Sequence, residues 1–403
     1  MNKNFSLLLS GQSLANIGDV LYMVSIISTI FALTGSATAA SFVPFSITSS
    51  MFVASILTPV LIGKVNLKWL LAGSQIGKTI LLIILGFMLI GLTADNYYFI
   101  FLMIVMIALL DGCAHPIMQA MIPHYVEPDR LVQANGIAET VYQFIQTVMW
   151  FIGSLFLIFL NAHQLIWLVG ALFCLASVLL CLLENVSHHK RETKGTLEQI
   201  KSGWKTLFNT PVLNKIAWID FFETIAGTVW IAAILYVFVS DALQVGEEWW
   251  GFINGSFFLG LILGSVYCIR YASFVEERMG AFIFFGSFAG FLVTILFSLN
   301  SIPIIALFLS LCIGLFGQIK GIPQQTVIQT SVPKEQLSTV YTSLGAISTG
   351  IFGIASLMMG VLADLFGIRM VFIISGLLLA IVSLIVYRNK KRFIRNVWNN
   401  KTK

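Results

Sequence analysis

Two stretches of the chain, Val20 to Gly63 and Thr140 to Leu183, run for 44 residues each without an Asp, Glu, Lys or Arg. A helix crossing a bilayer needs about 20 such residues, because in hydrocarbon its backbone groups must be bonded within the segment. Each stretch therefore holds more than one span and a turn. The turns read as Thr34-Gly35-Ser36 and Asn161-Ala162-His163-Gln164. Long apolar runs and short polar breaks alternate in the same way to the end of the chain. They predict twelve membrane-spanning helices over residues 6–33, 37–63, 69–92, 98–121, 132–160, 165–183, 213–239, 249–271, 280–299, 302–328, 338–363 and 368–387.

The pattern repeats. Pro116, Gly153, Gly170 and Ser177 recur 206 or 207 residues later as Pro323, Gly360, Gly376 and Ser383. The fold class expected is an all-α membrane protein, twelve transmembrane helices in two pseudo-symmetric six-helix halves. The halves are 1–183 and 211–387, joined by a cytoplasmic linker, 184–210, and followed by a basic tail, 388–403. Parallel repeats of this kind, with a solute site between the halves near the midplane, are the plan of many secondary transporters.

Composition agrees: 10% of residues are charged, against about 25% in soluble domains. The net charge of +5 reads as a topology signal, and nucleic-acid binding is not expected. With the N-terminus inside, Lys3, Lys64, Lys68, Arg130, the Lys190 to Lys215 group, Arg270, Arg278, Lys334 and seven basic residues from Arg388 to Lys403 are cytoplasmic, leaving Arg369 outside. Both termini are thus expected in the cytoplasm. The first span is too long, and too interrupted by Gln12, Asn16 and Asp19, for a cleaved signal peptide. The five cysteines lie in or at the ends of spans without disulfide spacing, and no metal or cofactor motif is visible. In the linker Leu197, Ile200, Trp204 and Phe208 recur at helical spacing, which predicts a helix on the inner membrane surface. The tail, with Phe393 and Trp398, is expected to meet anionic lipid.

Ionisable groups at membrane depth cost roughly 2.5–3.5 kcal/mol each and mark candidate sites. Seven stand out: Asp19 in span 1, Lys78 in span 3, Asp111 in span 4, Glu139 in span 5, Asp220 and Glu223 in span 7, and Lys320 in span 10. Five acids against two bases leave an acidic surplus that protons, hydrogen bonds or a bound cation can relieve. On span 5, Asn135, Glu139, Gln143 and Gln146 form one polar stripe. Asp111 and His115 lie a turn apart and could hand a proton between them. Structural readings stand beside these. Asp19, Lys78 and Lys320 could be ion pairs only, Asp220 and Glu223 could sit near the inner headgroups, and His115 could cap a carbonyl freed by Pro116. Gly73 to Thr79 looks like a phosphate loop but is one residue short between its glycines and lies within a span. His124 and Asp129 have an acyltransferase-like spacing too common to carry an enzyme assignment, and Asn185-Val186-Ser187 falls on the cytoplasmic side.

The run from Pro116 through Ile122-Pro123 and Glu127-Pro128-Asp129-Arg130-Leu131 to Ala134-Asn135-Gly136 resembles a span 4 to span 5 signature. It is that of the macrolide-efflux branch of the major facilitator superfamily, the drug:proton antiporter family 3. Gly18-Asp19, Thr34-Gly35-Ser36 and the segment from Gly360 to Gly367 are similar to the same family. The resemblance implies a twelve-span exporter of the bacterial cytoplasmic membrane, driven by the proton gradient, with relatives that move macrolides, tetracyclines, other drugs or siderophores. It departs from the pattern in three places. Gly63 to Lys68 has no acid, span 4 has no Arg, and Thr147 to Leu155 contains only Gly153.

The function expected is proton-coupled efflux of drugs or other amphipathic small molecules by alternating access, with protons and membrane lipids as partners and a monomer as the working unit. Dedicated export of a native metabolite such as a siderophore is the alternative, with a membrane-bound lipid-modifying enzyme more remote.

Overall fold

The computed structural model describes residues 2–34, 37–62, 64–93, 97–186, 196–230, 232–246 and 248–393. Gly35 and Ser36 of the first predicted turn, Gly63, Ser187, Lys190 and the tail beyond Phe393, with Trp398, lie outside the described residues.

Fifteen α-helices are described. The first six are α1 (Lys3–Thr34), α2 (Ala37–Ile62), α3 (Leu67–Met88), α4 (Tyr98–Tyr125), α5 (Leu131–Phe159) and α6 (Ala162–Cys181). After the linker helix α7 (Thr196–Asn209) come α8 (Pro211–Gly227), a short α9 (Ala232–Val237), α10 (Glu248–Arg270) and a one-turn connector α11 (Ala272–Glu277). The chain continues through α12 (Met279–Leu299), α13 (Pro303–Ser331), α14 (Lys334–Phe366) and α15 (Ile368–Asn389). Among the described residues, ten helices are long and apolar enough to cross a membrane, and a bent pair makes an eleventh. α5, at 29 residues, is a further long helix.

Start and stop signals set the ends. Asn161 begins α6 with a capping box, its side chain accepting from Gln164 N while the Gln164 side chain accepts from Asn161 N. Pro211 and Pro303 open α8 and α13 at their first positions, where a missing N–H costs nothing. Pro116 and Pro323, partners in the repeat, both lie inside helices, α4 and α13.

Span 7 corrects the sequence reading. Residues 213–239 were expected as one continuous helix, but the segment bends by 48° between Pro211–Trp230 and Ile234–Leu243. A 3₁₀ turn at Thr228–Trp230 and a π-helical turn at Phe238–Leu243 accompany the bend. Gln244, at φ 54°, ends the segment in the left-handed region. No proline or charge marks the break, so an apolar run read as one rod.

The chain packs as two compact units. Unit 1 is Met1–Val126, Phe144–Trp204 and Lys334–Ala346; unit 2 is Glu127–Gln143, Lys205–Pro333 and Ile347–Lys403. In unit 1, α1 packs on α6 and α2, while α3 lies against both α4 and α6. Hydrogen bonds pin its exit loop: Asn66 Nδ2 donates to Val186 O at 2.6 Å, Tyr125 Oη to Glu184 O at 2.7 Å, and Glu184 N to Asn4 Oδ1 at 3.2 Å. Asn66, in the loop that lacks an acid, thus fastens that loop through a neutral amide.

In unit 2, α13 packs between α10 and α12, and α15 between α12 and α8. Its core includes an aromatic cluster of Trp230, Phe238, Phe297 and Phe372 with ring centroids 4.7 to 5.5 Å apart. Arg369, the predicted outer basic residue, donates to the carbonyls of Ser298, Asn300 and Ala242 and to Ser301 Oγ. Its guanidinium fork gives donors to carbonyls left open where helices end.

The linker helix forms as α7, but its packing differs from a wholly interfacial one. Gly203 and Leu207 are buried against protein, whereas Phe208 is exposed. Two of the positions read as membrane-facing, Leu197 and Ile200, have side chains outside the described set.

Candidate functional site

Each unit holds a lysine inside the apolar layer, bonded to carboxylate. In unit 1, α3 carries Lys78 between Asp19 of α1 and Asp111 of α4. The ammonium donates to Asp19 Oδ1 at 2.7 Å, Asp19 Oδ2 at 2.9 Å and Asp111 Oδ1 at 2.5 Å. Lys78 is 1% exposed, while the aspartates keep 25% and 28% of their side-chain surface open. Three bonds occupy all three N–H donors of an ammonium. The cluster sets two carboxyl groups against one ammonium.

Local sequence explains how the ammonium is held from its apolar side. The Phe173 ring of α6 lies 4.9 Å from Lys78 Nζ, within cation–π range. A side chain at position 18 would run into that ring, so Gly18 leaves the space in which Phe173 reaches the lysine. The Gly18-Asp19 pair therefore has two jobs: clearance for the ring and a carboxylate for the ammonium. Nearby, Tyr22 Oη and Gln75 Nε2 are buried and make no hydrogen bond among the described residues. Each lies one helical turn from a member of the cluster.

In unit 2, Asp220 and Glu223 lie three apart on α8, and Lys320 and Gln324 four apart on α13. Lys320 Nζ bonds Glu223 Oε2, and Gln324 Nε2 donates to Asp220 Oδ1 at 2.8 Å. Lys320 is 8% and Glu223 27% exposed. A second pair of polar residues comes from the start of α5, which belongs to this unit. Asn135 and Gln329 exchange amide hydrogen bonds at 2.7 and 3.1 Å, and Asn135 Nδ2 also donates to Thr326 Oγ1 at 3.1 Å. One turn along, Glu139 accepts a long hydrogen bond from Gln318 Nε2 at 3.4 Å. Gly286 of α12 faces Lys320 and the Phe316 carbonyl where a side chain would not fit, which brings α12 close to α13 at the lysine.

The predicted residues thus separate into groups. Asp19, Lys78 and Asp111 meet in unit 1; Asp220, Glu223 and Lys320 meet in unit 2, where Asn135 and Glu139 of α5 bond other residues of α13. Asp220 is ten residues into a span that begins at Pro211. Gln143 is half-buried on α5, one turn beyond Glu139. The His115 side chain lies outside the described set, so its pairing with Asp111 has no geometry here. Among the described residues no group of three or more His, Cys, Asp or Glu could hold a metal ion. Sequence reasoning missed Phe173, Tyr22, Gln75, Gln318, Gln324, Thr326 and Gln329. The glutamines had a signal: a run from Gln318 to Thr326 with a lysine and three glutamines inside an apolar helix.

Ten apolar helices and a bent pair, among the described residues, define a multi-pass membrane protein. Residues 8–351 match the model of the Major Facilitator Superfamily, and the chain belongs to that family. It is similar to two uncharacterized MFS-type transporters of Bacillus subtilis (strain 168). YfmI is 31% identical over 386 residues, covering 94% of this chain and 95% of its own. YjbB is 29% identical over 386 residues, covering 95% of each. Among solved structures, the MFS transporter FucP in the outward conformation superposes with a TM-score of 0.77 at 14% identity, covering 95% of this chain and 98% of its own. The human organic anion transporter MFSD10 (TETRAN) gives 0.78 at 11% identity, with coverage of 95% and 98%. At such identities the likeness is one of fold. These relatives and neighbours are transporters, not enzymes.

Proposed function

We propose that this protein is a secondary active transporter of the bacterial cytoplasmic membrane that exports cationic or amphipathic small molecules in exchange for protons, in the manner of the drug:proton antiporter family 3. The observation that carries the reading is the Lys78 cluster, two carboxylates on one saturated ammonium with part of each aspartate open. One negative charge there has no partner charge within the cluster, and a proton or a bound cation supplies it. Export against a gradient needs a driving ion. A proton moving inward through the membrane potential releases about 2.3 kcal/mol per 100 mV.

In this scheme a proton taken up by Asp19 or Asp111 from outside loosens one of the bonds to Lys78 and favours release of the cargo cation. Loss of the proton to the cytoplasm restores the bonds and resets the protein. In this reading both termini face the cytoplasm, the Phe208 side of α7 meets lipid headgroups, and the chain works as a monomer. Export of an anionic metabolite has less support, since Lys78 has every donor occupied and Lys320 is engaged by Glu223.

The test is accumulation of a panel of cationic dyes and drugs in cells with and without the protein. Lower accumulation of at least some of them, abolished by a protonophore, is expected. Accumulation indifferent to the protein across the panel, or a difference that survives the protonophore, contradicts the reading.

A further inference from the structure

One buried acceptor in unit 2 lacks a donor, and its surroundings say what kind of donor fits. Gln324 has a fixed orientation. With Asp220 ionised, the amide nitrogen is the atom that faces its Oδ1, at 2.8 Å, because a carboxylate accepts and does not donate. The other end of the amide, Oε1, is buried and accepts no hydrogen bond among the described residues, in a residue 8% exposed. The hydrogen bond to Asp220 comes from a neutral group, while the neighbouring lysine, Lys320, is bonded to Glu223. A negative charge and a bare acceptor therefore lie on adjacent groups of one α8–α13 seam. An acceptor buried without a donor raises the free energy of the site until one arrives. A ligand that satisfies both groups carries a positive charge and at least one N–H.

We propose that Asp220 and Gln324 together form a binding site for protonated amines and select them over permanently methylated cations. The ammonium lies on the Asp220 carboxylate and donates its N–H to Gln324 Oε1. A quaternary ammonium meets the charge but leaves the amide oxygen bare. This deepens the exporter reading and rests on it for treating the bound amine as cargo.

The experiment is equilibrium binding to the purified full-length protein in lipid nanodiscs, with no ion gradient. Calorimetry compares 4-phenylbutylammonium with its trimethyl analogue at neutral pH, where both are cations. The ammonium is expected to bind about tenfold more tightly, the effect of one buried hydrogen bond. Gln324→Met, which keeps length but removes both the acceptor and the Nε2 donor to Asp220, is expected to bring the ratio of the two affinities close to one. Asp220→Asn is expected to weaken both. Equal affinity of the two probes for the wild-type protein, as when Oε1 is merely hydrated, overturns the proposal. So does binding of neither, or a ratio unchanged in Gln324→Met. The wild-type ratio decides even if a variant fails to fold. Because no gradient is present, loss of proton coupling elsewhere cannot mimic these results, and selection for the N–H can stand or fall apart from the exporter reading.

Discussion

The two lysines solve the same problem differently. Lys78 is nearly inaccessible, gives all three donors to two aspartates, and has an aromatic ring on its apolar side. Lys320 bonds one glutamate, while the second acid beside it, Asp220, is held by the neutral amide of Gln324. Around Lys78 the unmatched buried groups include an amide donor, Gln75 Nε2; around Lys320 they include an amide acceptor, Gln324 Oε1. The difference suggests a division of labour. A saturated ammonium shared by two partly open carboxylates suits exchange of a proton, and an acid with a bare acceptor beside it suits a ligand that brings donors.

The sharpest way to break the comparison is to remove each lysine. Lys78→Met leaves Asp19 and Asp111 facing each other without a countercharge and is expected to cost about 3 kcal/mol of stability. Lys320→Met strands one glutamate that keeps 27% of its surface open, and about 1.5 kcal/mol is expected. Thermal unfolding in detergent reads both, and equal losses would remove the asymmetry. Gly18→Val is next. It drives a branched side chain into Phe173 and is expected to cost about 2 kcal/mol by overpacking, with transport falling because the ring no longer holds the lysine in place. A Gly18→Val protein as stable and active as wild type would show that the close approach is incidental.

On the unit 2 side, Asn135→Leu removes a buried amide that bonds Gln329 and Thr326. A loss of about 1.5 kcal/mol is expected, with thermal unfolding as the readout. Recovery in the double variant Asn135→Leu, Gln329→Leu would confirm that the cost is an unpaired amide. Phe173→Leu should have the smallest effect, about 1 kcal/mol from the lost ring–ammonium contact. The loss is expected to be smaller in a Lys78→Met background, where no ammonium remains and only packing is lost, and an undiminished loss there would assign the effect to packing alone.

Much of the architecture was readable because bilayer thickness imposes a length on every span, and the repeat at Pro116 and Pro323 placed matching helices in the two halves of the sequence. The turn at Asn161 to Gln164 was readable as a break between spans, and the structure adds that its end residues form a capping box. The intramembrane charges were readable for their cost. Their partners were not: Lys78 meets Asp19 and Asp111 across 59 and 33 residues of sequence, a pairing set by helix packing and not by spacing. Gln318 and Gln324 escaped notice because an amide in a span costs less than a charge and stands out less. The polar stripe on α5 was found, but nothing in its periodicity told that Asn135 would clasp Gln329 or that Glu139 would meet Gln318. The bend after Trp230 left no trace in composition at all.

The most direct test of the shared-lysine cluster as the coupling element is transport in proteoliposomes under an imposed pH gradient, comparing Asp19→Asn and Asp111→Asn with wild type for a substrate identified by the accumulation panel. The variants should lose gradient-driven accumulation while still exchanging labelled for unlabelled substrate when no gradient is applied. Gradient-driven accumulation at the wild-type level in both variants would show that the proton is carried elsewhere.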